Sequence, residues 1–156
     1  MQSTYSEDDE DALRPMIHRA AGRGDIETAA RLLGEAPDAI RVRNELDNEP
    51  LHEACWAKHP KMVRLFLDRG ADVNAVGDSG RTPLHFAVWD GGDEAVEIVE
   101  MLVQAGADVN ALDERLQENA LGFALREYKD ELEPAIRLLR ERGAAEPNAA
   151  PDRGGT

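Results

Sequence analysis

The sequence predicts an all-α repeat solenoid built from paired antiparallel helices, and two recurring segments carry this prediction. The segment Glu49-Pro-Leu-His-Glu-Ala54 recurs 33 residues later as Thr82-Pro-Leu-His-Phe-Ala87. A second segment, Gly70-Ala-Asp-Val-Asn-Ala75, recurs as Gly106-Ala-Asp-Val-Asn-Ala111. A repeat period between about 20 and 50 residues is typical of stacked units, none of which can bury its apolar face alone.

Each helix of the two middle copies has a local sequence signal. Pro50 and Pro83 begin the first helices, where a missing amide donor costs nothing, and Thr82 is expected to cap the helix that follows it. Gly70 ends the return helix as a residue that tolerates a left-handed conformation. The return helix of the second copy carries an apolar stripe of Met62, Val63, Leu65, Phe66 and Leu67.

The outer copies follow the same register with weaker motifs. His18, His52, His85 and Gly122 fall in one column, with steps of 34, 33 and 37 residues. The Thr-Pro-Leu-His-x-Ala core at this period resembles the ankyrin repeat family. This resemblance implies a domain over residues 12–145 with four repeats, at about 12–46, 47–77, 78–113 and 114–145, each a helix pair with a projecting β-hairpin turn. Degenerate outer copies suit the two ends of a stack.

Composition favours a small cytoplasmic protein. Residues 1–11 contain the acid run Glu7-Asp-Asp-Glu-Asp11, and residues 146–156 are rich in Pro, Gly, Asp and Ala, so both ends are predicted to be disordered tails. The sequence has no apolar run near 18 residues and no basic leader followed by a hydrophobic segment. We therefore expect no membrane span and no secretory signal. The single Cys55 is expected to pack as a small apolar residue.

The net charge of -14, from 32 acidic and 18 basic residues, argues against a nucleic-acid partner, because phosphates would be repelled. Such a surface would speed association with a basic protein partner. It could equally serve solubility alone, and the sequence leaves both interpretations open.

The histidine column suggests structure rather than chemistry. Residues one repeat apart are held at a helix-packing distance of about 8 to 10 Å, whereas zinc ligands must converge at about 2 Å. The resemblance to ankyrin repeats implies that His18, His52 and His85 are structural: this histidine hydrogen-bonds the neighbouring backbone and the turn threonine, here Thr82. We therefore predict no metal, no cofactor and no enzyme activity.

Trp56 and Trp89 are the only tryptophans and lie 33 residues apart, in the same repeat position. In ankyrin proteins this position faces the concave groove and touches partners, so we predict the two rings as apolar anchors; packing of the rings on each other is the alternative. The predicted charged rim of the groove consists of Arg23, Asp90, Arg126 and Glu127. A second predicted contact surface is the row of hairpin tips, with Arg43, Asp78, Ser79, Arg81, Asp113 and Arg115, for which a merely solvated edge is the alternative.

These features predict a non-enzymatic scaffold that binds a partner protein along its concave groove and hairpin tips. We expect the free chain to be a monomer. The alternative is an acidic inhibitor or immunity-type protein that occludes a basic toxin or enzyme.

Overall fold

The computed structural model describes the backbone of residues 7–147 and the side chains of residues 12–147. Within that range the chain forms eight α-helices and two short 3₁₀ turns. The predictions of disorder for residues 1–6 and 148–156 fall outside the described residues. The helices are α1 (Glu7–Arg23), α2 (Ile26–Glu35), α3 (Pro50–Trp56), α4 (Pro60–Asp68), α5 (Pro83–Val88), α6 (Asp93–Gln104), α7 (Ala120–Glu127) and α8 (Glu133–Glu141), and the 3₁₀ turns are Pro37–Arg41 and Asp78–Gly80.

The helices form two layers of a solenoid. The inner layer consists of α1, α3, α5 and α7, each in contact with the next along the stack, and the outer layer of α2, α4, α6 and α8 is stacked in the same way. Each inner helix also packs on the outer helix that follows it. The predicted all-α repeat solenoid is confirmed.

The core lies between the two layers and follows the repeat register. One inner-helix column is fully enclosed: Ile17, Leu51, Leu84 and Leu121 are each at most 1% exposed. The small-residue column of Ala20, Ala54, Ala87 and Ala124 is also buried, and its short side chains let neighbouring inner helices approach closely. Phe66, Leu102 and Leu139 fill the equivalent place on the outer helices.

The Asp-Val-Asn segments join successive repeats beyond the outer helices. Asp72 accepts a bond from the Asn74 amide (2.9 Å), which turns the chain after α4. The Asn74 side chain then donates to the Gly106 carbonyl (3.2 Å) and accepts from the Asp108 amide (2.7 Å), one repeat further on. Asn110 makes the same two bonds to residues 143 and 145. The recurring Asp-Val-Asn motif therefore supplies hydrogen-bond partners to the backbone groups that follow the next outer helix.

The predicted N-terminal tail is wrong in its inner part, because residues 7–11 are helical and α1 begins at Glu7. The acid run thus falls in the first turn of a helix. Pro15 lies inside this helix.

The predicted β-hairpins are also wrong in detail, because no strand occurs between residues 7 and 147. A backbone bond instead closes each loop between repeats: the amides of Asn44, Gly77 and Asp113 donate to the carbonyls of Asn48 (3.0 Å), Arg81 (2.8 Å) and Glu118 (3.0 Å). The second loop winds into a 3₁₀ turn with Ser79 at φ 57°. The Glu114 amide donates to the Ser79 carbonyl (2.9 Å), which links neighbouring loops.

Candidate functional site

An aromatic row runs along the inner helices and consists of Trp56, Phe86, Trp89 and Phe123. The Trp56 and Trp89 ring centroids are 5.5 Å apart, and Trp89 stacks on Phe123 at 4.8 Å with an interplanar angle of 22°. Trp56 also meets the edge of Phe86 at 6.2 Å. The 33-residue spacing of the two tryptophans therefore brings their rings together.

The aromatic row is not sealed inside the protein. Trp56 is 47% exposed, more than any other aromatic residue in it, and Trp89 is half-buried. The two rings pack on each other, and Trp56 is also accessible to solvent. A single exposed ring needs no explanation, whereas contiguous exposed apolar surface is a feature of interaction sites.

The row forms one wall of a groove of about 390 Å³ between the inner helices and the loops. Its other walls come from the loops that join successive repeats. The lining residues are Leu46, Asn48, His52, Glu53, Trp56, Asp78, Arg81, Phe86 and Trp89. Leu46, on the first loop, is 60% exposed and extends the apolar surface beside Trp56.

Two arginines cover rings of the row. The Arg81 guanidinium carbon lies 5.0 Å from the centre of the Trp89 ring, between carboxylates of Asp78 (3.6 Å) and Asp113 (3.9 Å). Arg126 lies 5.2 Å from the Phe123 ring, bonds Glu118 at 3.1 Å and pairs with Glu127. Both stacks place a cation over the negative face of a ring, an attraction that strengthens with desolvation.

The predicted tip residues differ widely in accessibility. Arg115 is exposed, and Asp78 and Ser79 are half-buried, with the Ser79 hydroxyl donating to Asp78 (3.1 Å). Asp113 is only 3% exposed, and its Oδ1 accepts from the Leu116 and Glu118 amides, so little of the side chain is available to a partner. A carboxylate used in this way shapes its own loop.

Arg43 and Arg81 also serve the scaffold. Arg43 donates to the carbonyls of Asp47 (2.9 Å) and Val76 (2.7 Å) and to Glu49 (3.2 Å), so its guanidinium links two successive loops. Only 12% of the Arg81 side chain is exposed. Burial raises the pKa of Glu49 more than the neighbouring Arg43 lowers it.

The residues of the predicted charged rim lie at the C-terminal ends of inner helices. Arg23, the last residue of α1, is exposed at the first repeat. Asp90 follows Trp89 in an exposed turn with φ 65°, and Arg126 and Glu127 end α7 on the far side. Asp90 is thus adjacent to Trp89 in the chain and Arg126 lies over Phe123, while Arg126 and Glu127 are already paired with each other.

His52 and His85 have the same two bonds in successive repeats. The Glu49 amide donates to His52 Nδ1 (3.1 Å), and His52 Nε2 donates to the Ala75 carbonyl (3.0 Å). The Thr82 amide donates to His85 Nδ1 (3.1 Å), and His85 Nε2 donates to the backbone carbonyl of Glu118 (3.1 Å). This pattern requires neutral rings with the proton on Nε2. Burial lowers the pKa of His52 to about 4 and also lowers the pKa of His85.

His18 has only half of this arrangement. Its Nε2 donates to the Val42 carbonyl (2.8 Å), but its enclosed Nδ1 has no partner among the described residues. The residue three positions earlier is Pro15, which has no amide hydrogen to donate. The degenerate first repeat thus loses one bond, and burial lowers the pKa of His18.

Sequence reasoning missed Lys58. Its ammonium donates to the carbonyls of Cys55 (3.3 Å), Phe86 (3.2 Å) and Trp89 (2.6 Å), which joins the C-terminal ends of α3 and α5. A cation is favourable there because helix C-termini are partially negative. The sequence shows only a lysine at the turn between α3 and α4. In the structure its φ is 57°, a backbone conformation that glycine adopts most easily. Burial lowers its pKa.

Within residues 7–147 no cluster of three or more His, Cys, Asp or Glu side chains has the arrangement needed to hold a metal ion. Cys55 is buried, and this burial raises the pKa of its thiol. None of the eight described helices has the length and apolar content needed to cross a membrane.

The family model described as "Ankyrin repeats (3 copies)" matches residues 17–113. The transient receptor potential cation channel subfamily A member 1 homolog of Caenorhabditis elegans is 33% identical over 106 residues, covering 68% of this chain and 8% of that protein. Ankyrin repeat and SOCS box protein 16 of Homo sapiens is 36% identical over 104 residues, covering 64% and 22%. A putative ankyrin repeat protein of Rickettsia felis is 30% identical over 120 residues, covering 72% and 50%.

The chain thus spans half or less of the length of these relatives. Ankyrin repeats generally form non-enzymatic domains that mediate protein–protein interaction. Since the match covers more than half of the residues, and the helix pair α7 and α8 continues the stack after it, this chain belongs to the ankyrin repeat family.

Proposed function

We propose that this chain is a non-enzymatic binding scaffold that holds a partner protein in the groove beside the aromatic row. The observation that carries this proposal is the exposure of Trp56, 47%, in a row whose other rings are more enclosed. A tryptophan ring buries about 150 to 250 Å² when covered, and such rings dominate the energetics of many interfaces.

The groove is preorganised for binding. Trp89 is held by its stack on Phe123, by the Arg81 guanidinium and by the Lys58 ammonium on its carbonyl. A fixed ring loses little side-chain freedom when a partner covers it, so more of the contact free energy remains as affinity. The loop tips that are accessible, including Ser79 and Arg115, would then contact the partner outside the groove.

We further propose that the partner is basic. The net charge is -14, and Glu53 and Asp78 contribute carboxylates to the groove wall, where Arg81 is the only arginine or lysine among the described lining residues. The second candidate, which the same charge favours, is an acidic inhibitor that covers a basic enzyme. Loss of the partner's own activity upon binding would identify an inhibitor, whereas retained activity would identify a scaffold.

Affinity capture with matched baits tests the groove. The baits are the wild-type chain, Trp56→Ala, the double variant Trp56→Ala with Trp89→Ala, and a control with Lys61→Ala and Arg64→Ala on the exposed side of α4. We expect a partner that the control retains and that both tryptophan variants bind at least about tenfold more weakly, a difference of about 1.4 kcal/mol. Far-UV circular dichroism confirms that each bait is folded.

Equal binding by wild type and by Trp56→Ala, in a folded bait, would reject the groove. The basic character of the partner is measured separately by the dependence of the association rate on salt. We expect that rate to fall steeply as ionic strength rises, because exposed charges are screened. A rate that does not change with salt would reject a basic partner without affecting the groove.

A further inference from the structure

Two rings of the aromatic row each lie against a guanidinium of this chain, and the exposed ring of Trp56 does not. Trp89 is covered by the Arg81 guanidinium and Phe123 by that of Arg126, each within 5.2 Å of the ring centre and each paired with carboxylates. Over Trp56, the most exposed ring of the row, no guanidinium lies among the residues that the structure describes.

The repeat register explains this difference between the two tryptophans. The residue 33 positions before Arg81 is Asn48, which is buried and whose Oδ1 accepts the Asp78 amide (2.9 Å). This asparagine holds the second loop and carries no charge. The second repeat therefore presents its tryptophan without the cation that the third repeat supplies from its own chain.

The surroundings of Trp56 are suited to a cation with an apolar stem. Glu53 lies three residues earlier on α3, on the same helix face, and lines the same groove. Its Oε1 accepts from the Asn44 side chain (2.8 Å), which fixes the carboxylate. Asp78 lines the opposite wall, and the exposed Leu46 offers an apolar surface for methylene groups.

We propose that Trp56 and Glu53 form a receptor for one arginine side chain of the partner protein, stacked on the indole and paired with the carboxylate. Arginine suits the site better than lysine, because a planar guanidinium can stack on a ring and bond a carboxylate through its edge at the same time. The inference rests on the proposed function and specifies the chemistry of the partner that the groove accepts.

Selection of random peptides displayed on phage tests the inference even while the partner is unidentified. Peptides are selected on the wild-type chain and then depleted on Trp56→Ala. We expect the remaining peptides to share an arginine at one fixed position. The best binder is synthesised with that arginine and with citrulline, which has nearly the same shape and no charge.

On the wild-type chain we expect the citrulline peptide to bind at least about tenfold more weakly. On Glu53→Gln the difference between the two peptides should shrink to less than about threefold, because the carboxylate that pairs with the guanidinium is gone. Glu100→Gln, which removes the same charge from the exposed surface of α6, is the matched control and should keep the full difference.

The outcomes separate the two proposals. Peptides that need Trp56 but share no arginine would overturn the receptor while leaving the groove in place. An arginine preference that Glu53→Gln leaves unchanged would likewise overturn it. A selection that yields no peptide, or only peptides that bind equally to variants at Trp56 and Trp89, would count against the groove itself.

Discussion

The buried histidine His52 should make the fold sensitive to mild acid. Its ring is fully enclosed and bonds through both nitrogens, and burial lowers its pKa from 6.5 to about 4. The unfolded chain takes up a proton near pH 6.5, whereas the folded chain takes it up only near pH 4. The unfolded state therefore binds more protons throughout this window, and the free energy of unfolding must fall as pH falls.

The size of the effect follows from these two values. For a pKa that shifts from 6.5 to about 4, linkage predicts a loss of about 2 kcal/mol between about pH 7 and about pH 5. His18 and His85 act in the same direction, since burial also lowers their pKa. Glu49 acts in the opposite direction, because its raised pKa lets the folded state bind a proton in acid.

Urea unfolding at a series of pH values measures this loss, and comparison of wild type with His52→Gln isolates one ring from the other groups. The variant should be less stable at neutral pH and should lose about 2 kcal/mol less than wild type on acidification. His59→Gln, which removes an imidazole bonded to the Gly22 carbonyl at the surface, is the matched control. Equal acid sensitivity of wild type and His52→Gln would refute the reasoning, and NMR titration of the His52 ring in wild type provides a second check.

Three further predictions concern stability and reactivity. Leu84→Ala should cost about 2 to 5 kcal/mol in urea unfolding because its site is closed, whereas Leu112→Ala, at an exposed site, should cost less than about 0.5 kcal/mol; similar losses would contradict the core assignment. Lys58→Met should cost about 1.5 to 3 kcal/mol and shift Trp89 fluorescence, because three carbonyls lose a charged donor; an unchanged midpoint would contradict this. Cys55 should resist a thiol reagent until the chain unfolds, and rapid native-state labelling would contradict its burial.

Much of the fold could be predicted from the sequence because the repeat register fixes which residues are equivalent. The columns of Leu51 and Leu84 and of Ala54 and Ala87 are buried as a helix stack requires. The same register placed Trp56 and Trp89 side by side. Periodicity thus identifies neighbours across repeats from the order of the residues alone.

The sequence could not show which polar side chains bond to backbone groups. Asp113 and Arg43 were predicted as contact residues because charged residues in loops are usually exposed. Asp113 is instead enclosed by amides of its own loop, and Arg43 reaches Val76, 33 residues away. Composition gives the charge of a loop residue, but only the folded chain shows whether backbone groups already satisfy it.

The same distinction explains why Trp56 is the informative residue of the groove. In the third repeat the tryptophan, its cation and the carboxylates around that cation all come from this chain, and the set is largely enclosed. In the second repeat the ring and a carboxylate are present, but Asn48 replaces the cation and the ring stays exposed. Since the third repeat shows that this backbone can supply its own arginine, the uncharged Asn48 beside Trp56 leaves that place open for a partner's side chain.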